Sequence, residues 1–300
     1  MLIGELAALA TALLWTLSSV CLTAAGKRVG ALNVSFIRVV LACAFMSAHG
    51  RLTRGLWWPS DADAQTWWLL GISGFFGFFL CDVCLFKAML LIGPRLTLLI
   101  FSLTPPLAAV FSWCGAWFSH GDVLTPKDWS AMAVTLAGVI WVVLEGPANQ
   151  ETAEASVSYA RGVALAAIAA ATSAIGLVFS RAGIGQFDAV AANFIRALAA
   201  LPGYGLLFTL LGRWRSFADA LKEYSAMGPL VLGAVMGPFA GNVFVMVALR
   251  YSPPGIVATI TATMPVLILP LSILYYRERV SRRAAVGAVV AVLGVALLML

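Results

Sequence analysis

Asp82 is the only acid well inside an apolar stretch of this chain. An ionised carboxylate at the centre of a bilayer costs about 2.5–3.5 kcal/mol on insertion scales, so such a group normally faces a cavity or a partner. Protonation would remove most of that cost. Asp82 is therefore a candidate proton-coupling group or a site for a substrate amine, and the alternative is a structural hydrogen bond to a neighbouring helix. Lys87, five residues on, lies about 140° around a helix from it and is a poor local partner. Near a helix end, Lys87 is expected to snorkel towards water.

Other polar residues sit at spacings that converge. Trp15 shares a helical face with Thr11, Ser18, Ser19 and Leu22, at separations of three, four, seven and eight residues. That face either permits close helix packing or lines a cavity. Arg38 and Arg196 each close a Phe-Ile-Arg triplet. Each would reach the interface by snorkelling, serve a structural role, or hold an anion in a polar pathway. Pro105 and Pro265 interrupt two further apolar stretches at mid-length, and Pro94 and Pro254 stand near their starts. A proline frees the carbonyl one turn earlier, here near Phe101 and Thr261. Ser102, Thr104, Thr259, Thr261 and Thr263 flank these breaks with neutral hydrogen-bonding groups. Pro105 and Pro265 are thus hinge candidates, and Trp15, Asp82, Ser102, Thr104, Asn242 and Thr261 are candidates for a common cavity.

Other apparent motifs lead nowhere. Cys81 and Cys84 have a metal-ligand spacing but no second Cys or His cluster to complete four ligands. Gly71-Ile-Ser73-Gly74 resembles the nucleophile motif of intramembrane serine proteases, yet His49 and His120 both lie at helix ends. No phosphate-binding G-x-x-x-x-G-K-[ST] loop occurs. Neither a cofactor nor a metal is expected.

The elements that must position these residues are apolar helices. The chain is 62% hydrophobic and 11% charged, with a mean hydropathy of +0.96, against roughly half apolar and a quarter charged in soluble domains. Ten stretches have spanning length, about 3–24, 31–49, 67–91, 95–118, 128–145, 161–182, 188–211, 227–249, 253–276 and 282–299. The first lacks a basic flank and reads as structural, not as a cleaved signal. The net charge of +6 lies mostly in loops and suggests lipid headgroups, not nucleic acid.

The two halves are copies. A shift of 158 lays Phe36, Ile37 and Arg38 on Phe194, Ile195 and Arg196, and Trp15 on Ser173. A shift of 160 lays Gly77, Asp82, Pro94 and Pro105 on Gly237, Asn242, Pro254 and Pro265. Five helices per copy reverse the direction in which the second copy enters the membrane. The expected fold is therefore an all-α integral membrane protein of ten transmembrane helices in two inverted five-helix repeats. The repeats would cover 1–145 and 161–300, joined by a linker at 146–160, with loops at 50–66 and 212–226. Inverted repeats supply two near-equivalent conformations, the physical basis of alternating access.

In order and spacing, Ala248, Leu249, Arg250, Tyr251, Pro253, Pro254, Pro265, Glu278, Arg279, Gly287, Ala288, Gly294 and Val295 resemble the EamA domain of the drug/metabolite transporter superfamily. Ala88, Pro94, Pro105, Asp122, Thr125, Ala137, Gly138 and Val139 repeat the pattern more weakly. The first copy departs from it in carrying Asp122 after Gly121, and in four extra residues between proline and acid. The resemblance implies a central cavity, export or exchange of small metabolites such as amino acids, and a cytoplasmic (inner) membrane location. It also implies cytoplasmic termini. The charge count opposes that, with eleven Lys and Arg in the loops on the side opposite the termini against five on the side of the termini. The expectation is a secondary active transporter of small metabolites, an exporter with proton coupling at Asp82. A membrane-embedded enzyme or lipid-handling protein is the alternative, and would need a convergent catalytic set. A small-molecule substrate and the lipid bilayer are the expected partners, with no nucleic acid, and a monomeric chain is compatible with all of this.

Overall fold

Within lipid no water can satisfy an open backbone N–H or C=O, so a chain this apolar must pair its backbone groups inside each segment. The computed structural model describes residues 2–114, 126–145, 153–251 and 281–297, together with Val257, Ile260, Thr261, Thr263, Met264 and Leu267. Pro254, Thr259, Pro265, Asp122, Glu278 and the linker residues 146–152 lie outside the described residues. Every regular element among the described residues is helical: α1 (Leu2–Val29), α2 (Ala31–Arg54), α3 (Ala64–Gly74), α4 (Cys81–Phe101), α5 (Thr104–Cys114), α6 (Pro126–Glu145), α7 (Ala153–Ile184), α8 (Ala189–Leu210), α9 (Trp214–Lys222), α10 (Tyr224–Ala234), α11 (Asn242–Tyr251) and α12 (Arg282–Leu297). Six helical segments are long and apolar enough to cross a membrane, ending with Tyr224–Ala248, and shorter apolar helices include Leu96–Ala108, Trp129–Gly138 and Ala285–Gly294.

The structure differs from the expected stretches in several places. The third stretch starts at Ala64, where the Asp63 carboxylate accepts the Thr66 N–H at 2.8 Å and caps the helix. It then passes through a π-helical segment, Phe75–Leu80, before α4. Gly93, with φ of 79°, turns α4 just ahead of Pro94, a left-handed conformation that glycine adopts without a Cβ penalty. The linker gives way to α7 already at Ala153. The loop at 212–226 contains α9, which was hidden by Arg213, Arg215 and Lys222 on its solvated side. Phe217 anchors that helix, its ring centroid 4.9 Å from that of Phe36.

Each half lends its first helix to the other. α1 packs along α10 and α11, whereas α7, its sequence mate, packs along α3 and α4. The mates α2 and α8 lie side by side, and so do α6 and α12. Lipid tails are as apolar as leucine, so helices associate here through close packing and interhelical hydrogen bonds. Glycines permit the closest approaches. A Cβ on Gly138 would stand 2.6 Å from the Ala291 nitrogen, and one on Gly74 would strike the Arg196 carbonyl. Gly205, by contrast, faces open space.

The α3–α8 crossing gives a first test. Gly74→Val forces two backbones apart, an overpacking cost of about 1–3 kcal/mol or more. It should lower the melting temperature and the monodisperse yield of detergent-purified protein, while Gly205→Ala leaves both unchanged. Equal melting of the two variants would contradict the packing described.

Candidate functional site

A cavity of about 180 Å³ lies where the two halves meet. Its wall includes Trp15, Asp82, Ser102, Thr104, Asn242 and Thr261, every one of the cavity candidates, and the hinge candidate Pro105. It also includes Arg38 and Arg196. Much of the remaining wall is apolar, with Phe78, Phe86, Met89, Leu98 and Met264 among its members.

Arg38 on α2 forms an ion pair with Asp82 on α4, and the two residues are only 8% and 4% exposed. The Arg38 guanidinium also lies 4.6 Å from the Phe86 ring centroid, a cation–π arrangement. Each charge lowers the cost of burying the other, and removal of either would strand its partner. The partner that the Asp82 spacing could not supply on its own helix thus comes from α2. Interfacial snorkelling of Arg38 and Arg196 is overturned, because both side chains point into the bundle. A side chain that finds an anion or a hydroxyl on a facing helix gains more inside than at the interface, and sequence spacing within one helix does not show that partner. Lys87 is exposed, as its position near a helix end implied.

Arg196 on α8 has different company. Its Nε donates to Ser73 Oγ at 2.9 Å, and its guanidinium stands 5.1 Å from the Phe78 ring centroid. Ser73 Oγ donates to the Gly176 carbonyl at 2.7 Å and lies 2.7 Å from Ser180 Oγ. The serine of the Gly-Ile-Ser-Gly motif therefore orients an arginine. Among the described residues Arg196 forms no ion pair and its terminal nitrogens have no hydrogen-bond partner. Asn242, at the place that corresponds to Asp82, brings no charge to balance it.

The break at Pro105 is closed locally. Pro105 frees the Phe101 carbonyl, and Thr104 Oγ1 donates to it at 2.7 Å. Thr104 Oγ1 has its shorter bond to the Phe101 carbonyl and also reaches the Ala170 carbonyl on α7, at 3.5 Å. Thr261 Oγ1 donates to the Val257 carbonyl, one turn back, at 2.9 Å. Trp15 packs on Gly241, where a Cβ would come within 2.7 Å of the indole Nε1.

Sequence reasoning missed the π-helical segments Phe75–Leu80 and Val235–Gly241, which occupy matched positions and lead directly into Asp82 and Asn242. A π turn widens the helix and leaves a carbonyl without its usual donor. The matched carbonyls of Phe78 and Pro238 are both taken by side chains of α8, through Tyr204 Oη at 2.9 Å and Asn193 Nδ2 at 2.8 Å. The paired Gly77 and Gly237 were the available signal.

The sequence profile of the EamA-like transporter family matches residues 2–144 and again residues 160–300. A crystal structure of a protein 22% identical superposes with a TM-score of 0.66, covering 98% of this chain and 95% of that one, which shows a shared fold. No curated protein matches in sequence. Two profile matches that together span nearly the whole chain, over apolar helices and a duplicated packing plan, place it as a multi-pass membrane protein that belongs to the EamA-like transporter family.

Proposed function

We propose that the protein is a secondary active transporter that exports small amphipathic metabolites, amino-acid-like solutes among them, across a cytoplasmic membrane. The transporting unit is one chain of ten transmembrane helices, folded as inverted repeats over 1–145 and 161–300. One observation carries the reading: a single cavity is walled by both halves and contains two arginines and one aspartate. A wall shared between copies can open to either face when the copies exchange conformations. The π-helical segments and the Pro105 break are the places where α3–α4 and α4–α5 bend.

Asp82 is the proposed coupling group. It faces Arg38 on α2 directly and is within the field of Arg196 on α8. Protonation would cancel its charge and leave Arg38 without an anion, so the two protonation states favour different packings of α2 against α4. A proton on one face of the membrane then biases the conformational equilibrium, as any coupled ligand must.

Flux into proteoliposomes, with labelled amino acids, sugars and nucleosides and with or without a proton gradient, tests the reading. Wild-type protein should accumulate one solute class above equilibrium only with the gradient, and no accumulation of any class would sink it. Asp82→Asn should reduce gradient-driven accumulation to the level without a gradient while preserving downhill exchange. An unchanged pH response in that variant removes Asp82 from the coupling role.

Pro105→Ala returns a backbone donor to the break and stiffens it. Turnover should fall by about tenfold, equivalent to about 1.4 kcal/mol in the barrier, with the half-saturation concentration little altered. A change in half-saturation alone would make Pro105 a binding element and not a hinge.

A further inference from the structure

We infer that the cavity selects its solute by a carboxylate and not by an amine, and that its substrate class is the small organic monoanion with an apolar body. The inference rests on the reading above, that this cavity holds the transported solute. Among the described residues, the charged side chains on its wall are Arg38, Asp82 and Arg196. Arg38 and Asp82 neutralise one another as an ion pair, so the wall carries one uncompensated positive charge, on Arg196. A bound monoanion cancels it; a cation adds to it, and a dianion overshoots.

The geometry of Arg196 points the same way. Its Nε is held by Ser73, which is itself bonded to Gly176 and lies against Ser180, and its guanidinium stands over Phe78. The fork is anchored at one edge, and its two terminal nitrogens remain without a hydrogen-bond partner among the described residues. Such a fork matches the two oxygens of a carboxylate. Trp15 Nε1 and the Asn242 amide, both on the same wall, also have no hydrogen-bond partner among the described residues. An ammonium finds no such match. The only carboxylate on the wall among the described residues is occupied by Arg38, and two guanidinium groups would repel the newcomer. The apolar remainder of the wall, with Leu85, Met89, Leu98 and Met264, then takes the body of the solute. At about 180 Å³ the space is smaller than an ordinary ligand pocket of about 300–1,000 Å³, which limits the solute to a small molecule.

The test measures binding first, so that it does not depend on transport. Purified protein in nanodiscs is melted with 3-phenylpropionate, phenylalanine, phenethylamine or phenyl phosphate at equal concentration. The expected order of stabilisation is 3-phenylpropionate, then phenylalanine, with no effect of phenethylamine and little of phenyl phosphate. Arg196→Gln should weaken 3-phenylpropionate binding by at least about thirtyfold, and Arg196→Lys should restore part of it. Asn242→Asp places a carboxylate at the position that corresponds to Asp82 and leaves Arg196 intact; it should also abolish the carboxylate response. Preferential stabilisation by phenethylamine or by phenyl phosphate overturns the inference, as does undiminished 3-phenylpropionate binding in Arg196→Gln or Asn242→Asp. Carboxylate binding with no flux in proteoliposomes would remove the transport reading and leave this one standing. Flux of amines without carboxylate binding would do the reverse.

Discussion

A charge inside an apolar bundle must meet a countercharge, a hydrogen-bonding partner or water, and this constraint organises the centre of the molecule. In the first half it is met within the protein, because Asp82 on α4 receives Arg38 from α2. That contact fixes α2 against α4 and keeps two ionised groups in a place where either alone would cost several kcal/mol. In the second half the same arginine position is kept as Arg196, but the acid has become Asn242. The neutral replacement leaves the fold duplicated and the electrostatics single, so that Arg196 leans on a hydroxyl and an aromatic ring instead. The charge asymmetry of the cavity follows from one change of residue type.

The crossings that bring these groups together are symmetric in plan and reciprocal in chemistry. Ser18 on α1 donates to the Gly233 carbonyl on α10 at 2.7 Å, and Ser73 on α3 donates to the Gly176 carbonyl on α7 at the same distance. By the shifts that relate the halves, Ser18 corresponds to Gly176 and Ser73 to Gly233. Each crossing therefore has one serine and one glycine, carried by opposite members. The neighbouring pair differs: Ser180 meets Ser73 in one crossing, whereas in the other Leu22, its counterpart, fills the space over Gly233. In the Ser18–Gly233 and Ser73–Gly176 contacts, close approach joins one residue without a side chain to one short donor, and the helix that supplies each is exchanged between the crossings.

How much of this could be read from the sequence depended on whether the information was local. The length of the apolar stretches and the positions of the prolines fix where helices lie and where they break, and the Thr104–Phe101 contact is a local consequence of Pro105. The candidates Trp15, Asp82 and Asn242 were legible because a polar group in lipid is costly wherever it stands. The partners were not. Arg38 and Asp82 are 44 residues apart in sequence, and nothing in either helix shows that α2 faces α4. The π-helical segments were hidden for a related reason, since a widened turn is stabilised by Tyr204 and Asn193 on another helix. α9 was obscured by its basic face, because the side chain that holds it, Phe217, has its aromatic partners on α2 and α8.

The π-helical segments connect the fixed parts of the structure to the parts that carry charge. Each leads into a helix whose first turn carries a polar residue that differs between the copies, Asp82 or Asn242. Each also has its spare carbonyl bonded by α8, the helix that carries Arg196. A shift of α8 therefore moves the arginine and the two wide turns together, and a change at Arg196 is transmitted to the bases of α4 and α11 through two buried hydrogen bonds. Small displacements in packed cores resolve into discrete arrangements because the packing does not deform continuously. The helix that holds the unpaired cation is thus mechanically tied to both halves, which gives an anion bound there a route to bias how the halves are packed.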